Sequence, residues 1–221
     1  PAERVFVATN AVAPKPAFPA PIRPPDFDPR PRVLFVGRLQ GRKKIDLLLQ
    51  ACRALPTDIR PDLTIVGDGP ARVQFEAQAA QLYPQAQFMG ALHGNELATR
   101  FREADLFVLP GTGGLAVQEA MAYALPVIVA QGDGTQDDLV HPDNGWIIPS
   151  GGLEALTATL RQALSNPNRL REMGTVSYRI VSEEINLERM MSVFLQVLAF
   201  VGGNGENFGE LGIYAEHGTA D

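Results

Sequence analysis

The sequence predicts an α/β protein: a Rossmann-like, doubly wound parallel sheet with flanking helices. Three observations predict it. Short apolar runs of strand length recur along the chain, and they alternate with longer stretches that place apolar residues at helical spacing. Glycine or proline closes most of the runs. Strands that alternate with helices in this way need crossover connections, which build parallel sheets. Ligands of such sheets bind beyond the C-terminal ends of the strands.

The elements follow in order. Pro14–Pro31 holds eight of the 18 prolines, a density that excludes helix and interior strand and favours extended backbone. It reads as an interdomain linker or as a strap on the surface of the domain. Arg32–Gly37 is a buried-strand candidate. Ile45–Leu55 carries apolar residues at 45, 48, 49, 52 and 55, one helix face. Leu63–Val66 is the second strand, closed by Gly67-Asp68-Gly69-Pro70. Arg72–Leu82 is helical, Gln87–Met89 a short third strand, and Asn95–Arg102 a short helix capped by Asn95 or Gly94. Leu106–Leu109 is a fourth strand, stopped by Pro110 and the turn Gly111-Thr112-Gly113-Gly114. Leu115–Ala124 lacks Gly and Pro and should be helical until Pro126 ends it, and Val127–Val129 is the next strand. Gly145–Ile148 is the last strand. Leu153–Leu164, Arg169–Val181 and Leu187–Phe200 are further helices. The segment 202–221 is glycine-rich and without periodicity.

Composition bounds the function. Hydrophobic content of 45% and charged content of 20% are those of an ordinary globular protein. The net charge of −6 argues against a nucleic-acid partner, so any phosphate must be held by local cations and helix ends. The single cysteine, Cys52, excludes an internal disulfide and lies on an apolar helix face, the place of a packed core thiol. No run approaches a spanning helix, and no signal peptide opens the chain, so the cytoplasm is the expected compartment. The chain opens at Pro1 rather than Met and reads as part of a longer protein.

Two stretches can carry chemistry. The turn before Leu115 leaves several N–H groups unpaired at the positive end of a helix, an anion site. Glu119, one turn further in, could accept hydrogen bonds from sugar hydroxyls. The plain alternative is a common strand–helix turn with a solvated glutamate. On the first strand–helix loop, Arg38 and Lys43 could clamp a diphosphate, Arg as a planar fork of donors and Lys as a point charge. The plain alternative is a solvated basic loop. That loop has Leu39 and Arg42 where a dinucleotide fingerprint needs glycines. His93, His141 and His217 have no partners by spacing, and Asp133, Asp137 and Asp138 form an acidic loop without metal-binding spacing. No metal or other cofactor is therefore expected.

Leu109-Pro110, Gly114-Leu115, Glu119-Ala120-Met121-Ala122 and Pro126-Val127-Ile128 resemble the C-terminal signature of GT-B retaining glycosyltransferases of family 4, the glycosyl transferases group 1. Gly37-Arg38-Leu39 with Lys43, the Gly67-Asp68-Gly69-Pro70 loop, Phe88-Met89-Gly90 and Asn144-Gly145 fit the same pattern in the same order. The first of two glutamates in the family's turn falls on Gly111, the turn's Phe on Gly113, and a family glycine on Ala124.

The resemblance implies the C-terminal half of a GT-B fold. Residues 1–31 would link it to a missing N-terminal domain, 32–200 would be the nucleotide-sugar-binding domain, and 201–221 a tail without an assigned role. It implies that Arg38 and Lys43 hold the donor diphosphate and that Glu119 holds the ribose. Gly37, Gly113, Gly114, Leu115 and Ala116 would line the phosphates and sugar, and main chain near Met89 the base. The expected reaction moves a sugar, with retention, from a nucleotide diphosphate sugar to a glycan or lipid-linked acceptor. Work on a lipid-linked acceptor would bring the enzyme to the inner face of the membrane. This chain alone is expected to bind nucleotide weakly and not to turn over. Two other functions fit the resemblance: a non-catalytic nucleotide-sugar-binding subunit, because Gly111 lacks a side chain, and a sugar-nucleotide epimerase.

Overall fold

The apolar runs become six parallel strands of one sheet: β1 (Arg32–Val36), β2 (Asp62–Val66), β3 (Gln87–Phe88), β4 (Leu106–Leu109), β5 (Val127–Ala130) and β6 (Gly145–Ile148). The structure is a computed structural model and describes residues 6, 11, 15–27, 29–113, 115–132 and 135–201. The expectations for Gly114, for Asp133, for most of the stretch before residue 15 and for the tail after 201 fall outside these residues.

The spatial order is β3-β2-β1-β4-β5-β6. The chain starts in the middle, runs to one edge through β2 and β3, then returns to β4 beside β1 and runs to the other edge. Val33 pairs with Leu106 and Leu34 with Phe107 across that return. β1 and β4 are therefore the neighbours from which the chain runs to opposite edges, the switch point beyond whose C-terminal ends a doubly wound sheet takes its ligand. Every residue of β4 and β5 is buried, as their uninterrupted apolar runs require. Truncating such a residue, Phe107 for example, to alanine costs about 3–5 kcal/mol.

The helices are α1 (Ile45–Ala54), α2 (Arg72–Leu82), α3 (Gly94–Glu103), α4 (Leu115–Ala122), α5 (Thr135–Leu139), α6 (Leu153–Leu164), α7 (Pro167–Arg179) and α8 (Leu187–Val201). A 3₁₀ turn at Gly41–Lys43 and a π turn at Ile180–Glu184 complete the list among the described residues. α1 packs on α2 and α6, and α4 packs on α7 and the π turn.

Four elements differ from expectation. α3 begins at Gly94 with His93 as its N-cap, and neither Asn95 nor the His93 side chain caps it. α4 stops at Ala122, before Pro126 can act, because Ala124 already adopts a left-handed φ of 55°. That is the position where the family pattern has glycine, which takes such a φ without steric cost. The acidic loop after β5 is partly helical, as α5, with Asp137 and Asp138 exposed. α7 starts earlier than expected, at Pro167, because Asn166 accepts a hydrogen bond from Arg169 N–H as an N-cap.

The proline-rich segment 15–27 is a strap. Arg23 donates to the carbonyls of Phe101, Ala104 and Ala124 at 2.9, 2.8 and 3.0 Å. Tyr178 Oη donates to Phe18 O at 2.6 Å, and Phe18 packs on Tyr123. α8 leaves an apolar stripe of Met191, Phe194, Leu195 and Leu198 exposed.

Candidate functional site

The sequence at the C-terminal ends of β1, β2 and β4 is dense in glycine because loops from different strands touch there. β1 ends at Val36, and Gly37 and Leu39 donate backbone hydrogen bonds to Val66 and Asp68 at 3.0 and 2.9 Å. A Cβ on Gly67 would lie 1.9 Å from Gly37 O, and one on Gly69 2.4 Å from Leu39 O. The two glycines of the Gly67-Asp68-Gly69-Pro70 loop thus admit the neighbouring loop rather than only making a turn.

The 3₁₀ turn then carries the chain inward. Lys44 adopts φ 54°, and Lys43 is only 8% exposed. Three contacts fasten this turn to the segment after β4. Lys43 Nζ donates to Thr112 O at 2.5 Å, Arg42 Nη1 to Thr112 Oγ1 at 3.0 Å, and Thr112 N to Arg42 O at 3.4 Å. The approach leaves no room for side chains. A Cβ on Gly111 would sit 2.1 Å from Arg42 O and 2.6 Å from Lys43 Cα, and one on Gly113 2.5 Å from Lys43 Nζ. Gly113 also has φ 137°, which favours glycine in any case. The absent carboxylate at Gly111 is thus a steric fact: the basic loop occupies the space it would need.

Burial pushes the Lys43 ammonium below its usual pKa, with the neighbouring Arg42 adding to the effect. Among the described residues Lys43 pairs with no carboxylate, and its hydrogen-bond partner is the Thr112 carbonyl. Arg38 is exposed at the end of β1 and makes no hydrogen bond or ion pair with the described residues. The N-terminus of α4 adds its dipole to these charges.

The remaining candidates follow the C-terminal ends of strands β1, β3 and β4. Gly37 begins the β1 loop. Leu115 is 58% exposed at the start of α4, with Ala116 half-buried behind it. Glu119 stands one turn further along α4. It is solvent-facing, yet its carboxyl is pushed above the usual carboxylate range because neighbouring atoms strip part of its water. Met89 follows β3, is 37% exposed, and donates its N–H to Ile65 O at 3.0 Å. It lies toward the far edge of the sheet, with β2 between its strand and β1.

Cys52 is fully buried and its thiol is pushed up to about 12 by that burial, so it is a core group and not a nucleophile. Among the described residues no group of three or more His, Cys, Asp or Glu could hold a metal ion. His93 and His141 are exposed, and Trp146 is half-buried on the edge strand β6.

Three residues of the site carry no sequence signal that singles them out. Arg42 looks like one more charge in a basic loop. Thr112 looks like a turn residue. Gln136 looks like a polar neighbour of an acidic pair, yet it is 1% exposed and donates from Nε2 to Gly113 O at 3.1 Å.

Comparison with known proteins gives a consistent answer. The family model described as glycosyl transferases group 1 matches residues 22–179, more than half of the chain. A GDP-mannose-dependent alpha-mannosyltransferase of Mycolicibacterium smegmatis is 37% identical over 146 residues, 64% of this chain and 37% of that protein. A sulfoquinovosyl transferase of Arabidopsis thaliana is 32% identical over 141 residues, 61% of this chain and 27% of that protein. Among solved structures, a sucrose-phosphate synthase from Thermosynechococcus elongatus superposes with a TM-score of 0.69 at 26% identity, covering 82% of this chain and 47% of the synthase. The chain thus spans less than half the length of each of these relatives.

Proposed function

This chain belongs to the glycosyl transferases group 1 family, and on that premise we propose that it is the donor-binding half of an enzyme that moves a sugar from a nucleotide diphosphate sugar to an acceptor. The observation that carries the reading is the meeting of Lys43, Arg42, Thr112 and Gly113 between β1 and β4, with Arg38 exposed on the same β1 loop and unpaired among the described residues. The diphosphate is the leaving group, and its charge grows as the sugar–oxygen bond breaks. Arg38 and Lys43 lower the cost of that charge, Arg38 as a fork from the open side and Lys43 from beneath the turn. The backbone from Gly113 to Ala116 faces the phosphates and the sugar, and Glu119 takes the ribose hydroxyls. The base lies along the main chain near Met89. No metal is required, since cations and helix amides supply the positive charge.

The acceptor, a glycan or a lipid-linked glycan, would sit on the part of the enzyme that this chain does not contain. The exposed apolar stripe of α8 suits packing against that part. Transfer with retention follows the family pattern, and the sheet alone does not turn over. A second reading is a nucleotide-sugar-binding subunit without transfer activity. Gly111 favours it, because no side chain there can touch the sugar.

A thermal-shift screen with UDP, GDP and ADP and their sugars tests the site. One base should raise Tm in the wild type, and Arg38→Ala and Glu119→Ala should lose most of the rise. Equal rises in all three proteins would overturn the assignment. Restoring the remainder of the enzyme and assaying transfer separates the two readings: binding without transfer across the donor panel favours the subunit.

A further inference from the structure

Gln136 stands apart from the groups used above. It is the second residue of a helix of only five residues, α5, and is almost completely buried. A glutamine buried there has to lose its water at both ends of the amide, and the structure answers only one of them. Nε2 donates to Gly113 O at 3.1 Å, whereas Oε1 is buried with no hydrogen-bond partner among the described residues. A residue whose only task was packing would avoid that cost by being apolar. Space is reserved for the amide as well: a Cβ on Gly132 would lie 3.0 and 3.2 Å from Oε1 and Nε2.

The hydrogen bond lands on a particular peptide. Gly113 is the residue whose Cβ would collide with Lys43 Nζ, and its neighbour Thr112 accepts from that ammonium. Lys43 from the β1 loop and Gln136 from the β5 loop therefore hold the β4 turn from two directions. Glycine at φ 137° has little torsional preference of its own, so the peptide after it would otherwise swivel.

We propose that Gln136 is a positioning residue of the donor site: by gripping the Gly113 carbonyl it sets the peptide plane that opens α4 and so aims the phosphate-binding amides. This rests on the donor-binding reading given above. Gln136 itself touches no phosphate. Its consequence is selective: it should matter for the second phosphate of a diphosphate, which meets the turn, more than for the first.

The test compares diphosphates with monophosphates by calorimetry on the full chain, with UDP, GDP and ADP against UMP, GMP and AMP. Two variants are used. Gln136→Leu removes both hydrogen-bonding ends, and Gln136→Glu keeps the shape but turns an acceptor toward the Gly113 carbonyl. For the preferred base the diphosphate-to-monophosphate affinity ratio should fall about tenfold in either variant, the effect of losing one well-placed hydrogen bond. Thermal unfolding and circular dichroism identify a variant that fails to fold, and the other variant then carries the test. An unchanged ratio in a folded Gln136 variant, with Lys43→Met losing diphosphate binding, overturns this inference and leaves the donor site standing. A wild type that binds none of the six nucleotides overturns both.

Discussion

Two opposite edges of the same sheet gather basic side chains, and they treat them differently. At the N-terminal ends of the strands, Arg171 pairs with Asp105 at 2.8 Å, and Asp105 also accepts from Arg32 N at 2.8 Å. Arg23 lies on carbonyls at and just beyond the C-terminal ends of α3 and α4, where helix dipoles are negative. Its pKa is still pushed down to about 10, by burial first and then by Arg171. Every one of these cations has a carboxylate or a set of carbonyls. At the C-terminal ends, Arg38 has no partner among the described residues and Lys43 has one carbonyl. The lower edge is a closed ionic clasp that fastens the strap to the sheet. The upper edge leaves positive charge without a carboxylate among the described residues, as the proposed diphosphate site requires. The lesson is that arginine density says little until the partners are known.

The contrast is open to experiment, and the largest effect is expected below. Asp105 is 1% exposed between two guanidinium groups, so Asp105→Asn should cost about 3–5 kcal/mol in urea unfolding, as loss of one buried partner does. At temperatures where the variant is folded, its nucleotide affinity should match the wild type. Parallel losses of stability and affinity would show that the two edges are not independent.

Restoring the family's carboxylate by Gly111→Glu comes next. Its Cβ would meet the backbone of Arg42 and Lys43, so stability should drop by about 1–3 kcal/mol and nucleotide affinity should fall with it. A variant of full stability that prefers a nucleotide sugar over the bare nucleotide would show instead that the basic loop can withdraw.

Arg38→Ala should weaken nucleoside diphosphate binding by about 1.5–3 kcal/mol, the loss of a charge-assisted contact, and leave stability within about 0.5 kcal/mol of wild type. A large stability loss would place Arg38 with the structural arginines of the lower edge.

The smallest effect is a pH dependence. Lys43 has a folded pKa lowered by burial, so its charged form is penalised below that pKa. The penalty is relieved as pH rises through the lowered value toward the ordinary lysine range, so this residue's contribution to stability should improve over that interval. Nucleotide binding should move the other way, because the diphosphate needs the ammonium. Measuring affinity and urea stability together from pH 7 to 10 checks the opposite signs, and Lys43→Met should flatten both.

Much of the fold could be read from residue order. The strand runs at 32–37, 106–109 and 145–148 and the apolar stripes at 45–55 and 153–164 match observed elements to within one residue. Arg38, Lys43 and the turn before Leu115 could be chosen because their spacing puts them at strand–helix junctions. Less legible were features whose cause lies far along the chain. α5 follows two glycines and is too short for periodicity. Gln136 bonds to a residue 23 positions away. The clash that reserves Gly111 comes from Arg42 and Lys43, on another strand's loop.

Local spacing was enough to specify the parallel sheet and the strand–helix loops at its C-terminal ends, because hydrophobic period and turn chemistry act over a few residues. The state of each charge was settled by packing. Lys43 is buried and occupied, Arg38 is open, and Gly111 is walled in, since those outcomes depend on which loops meet at the end of the sheet. Contact between segments some seventy residues apart has no local signature, and it is that contact that joins a basic loop and a glycine turn into one surface.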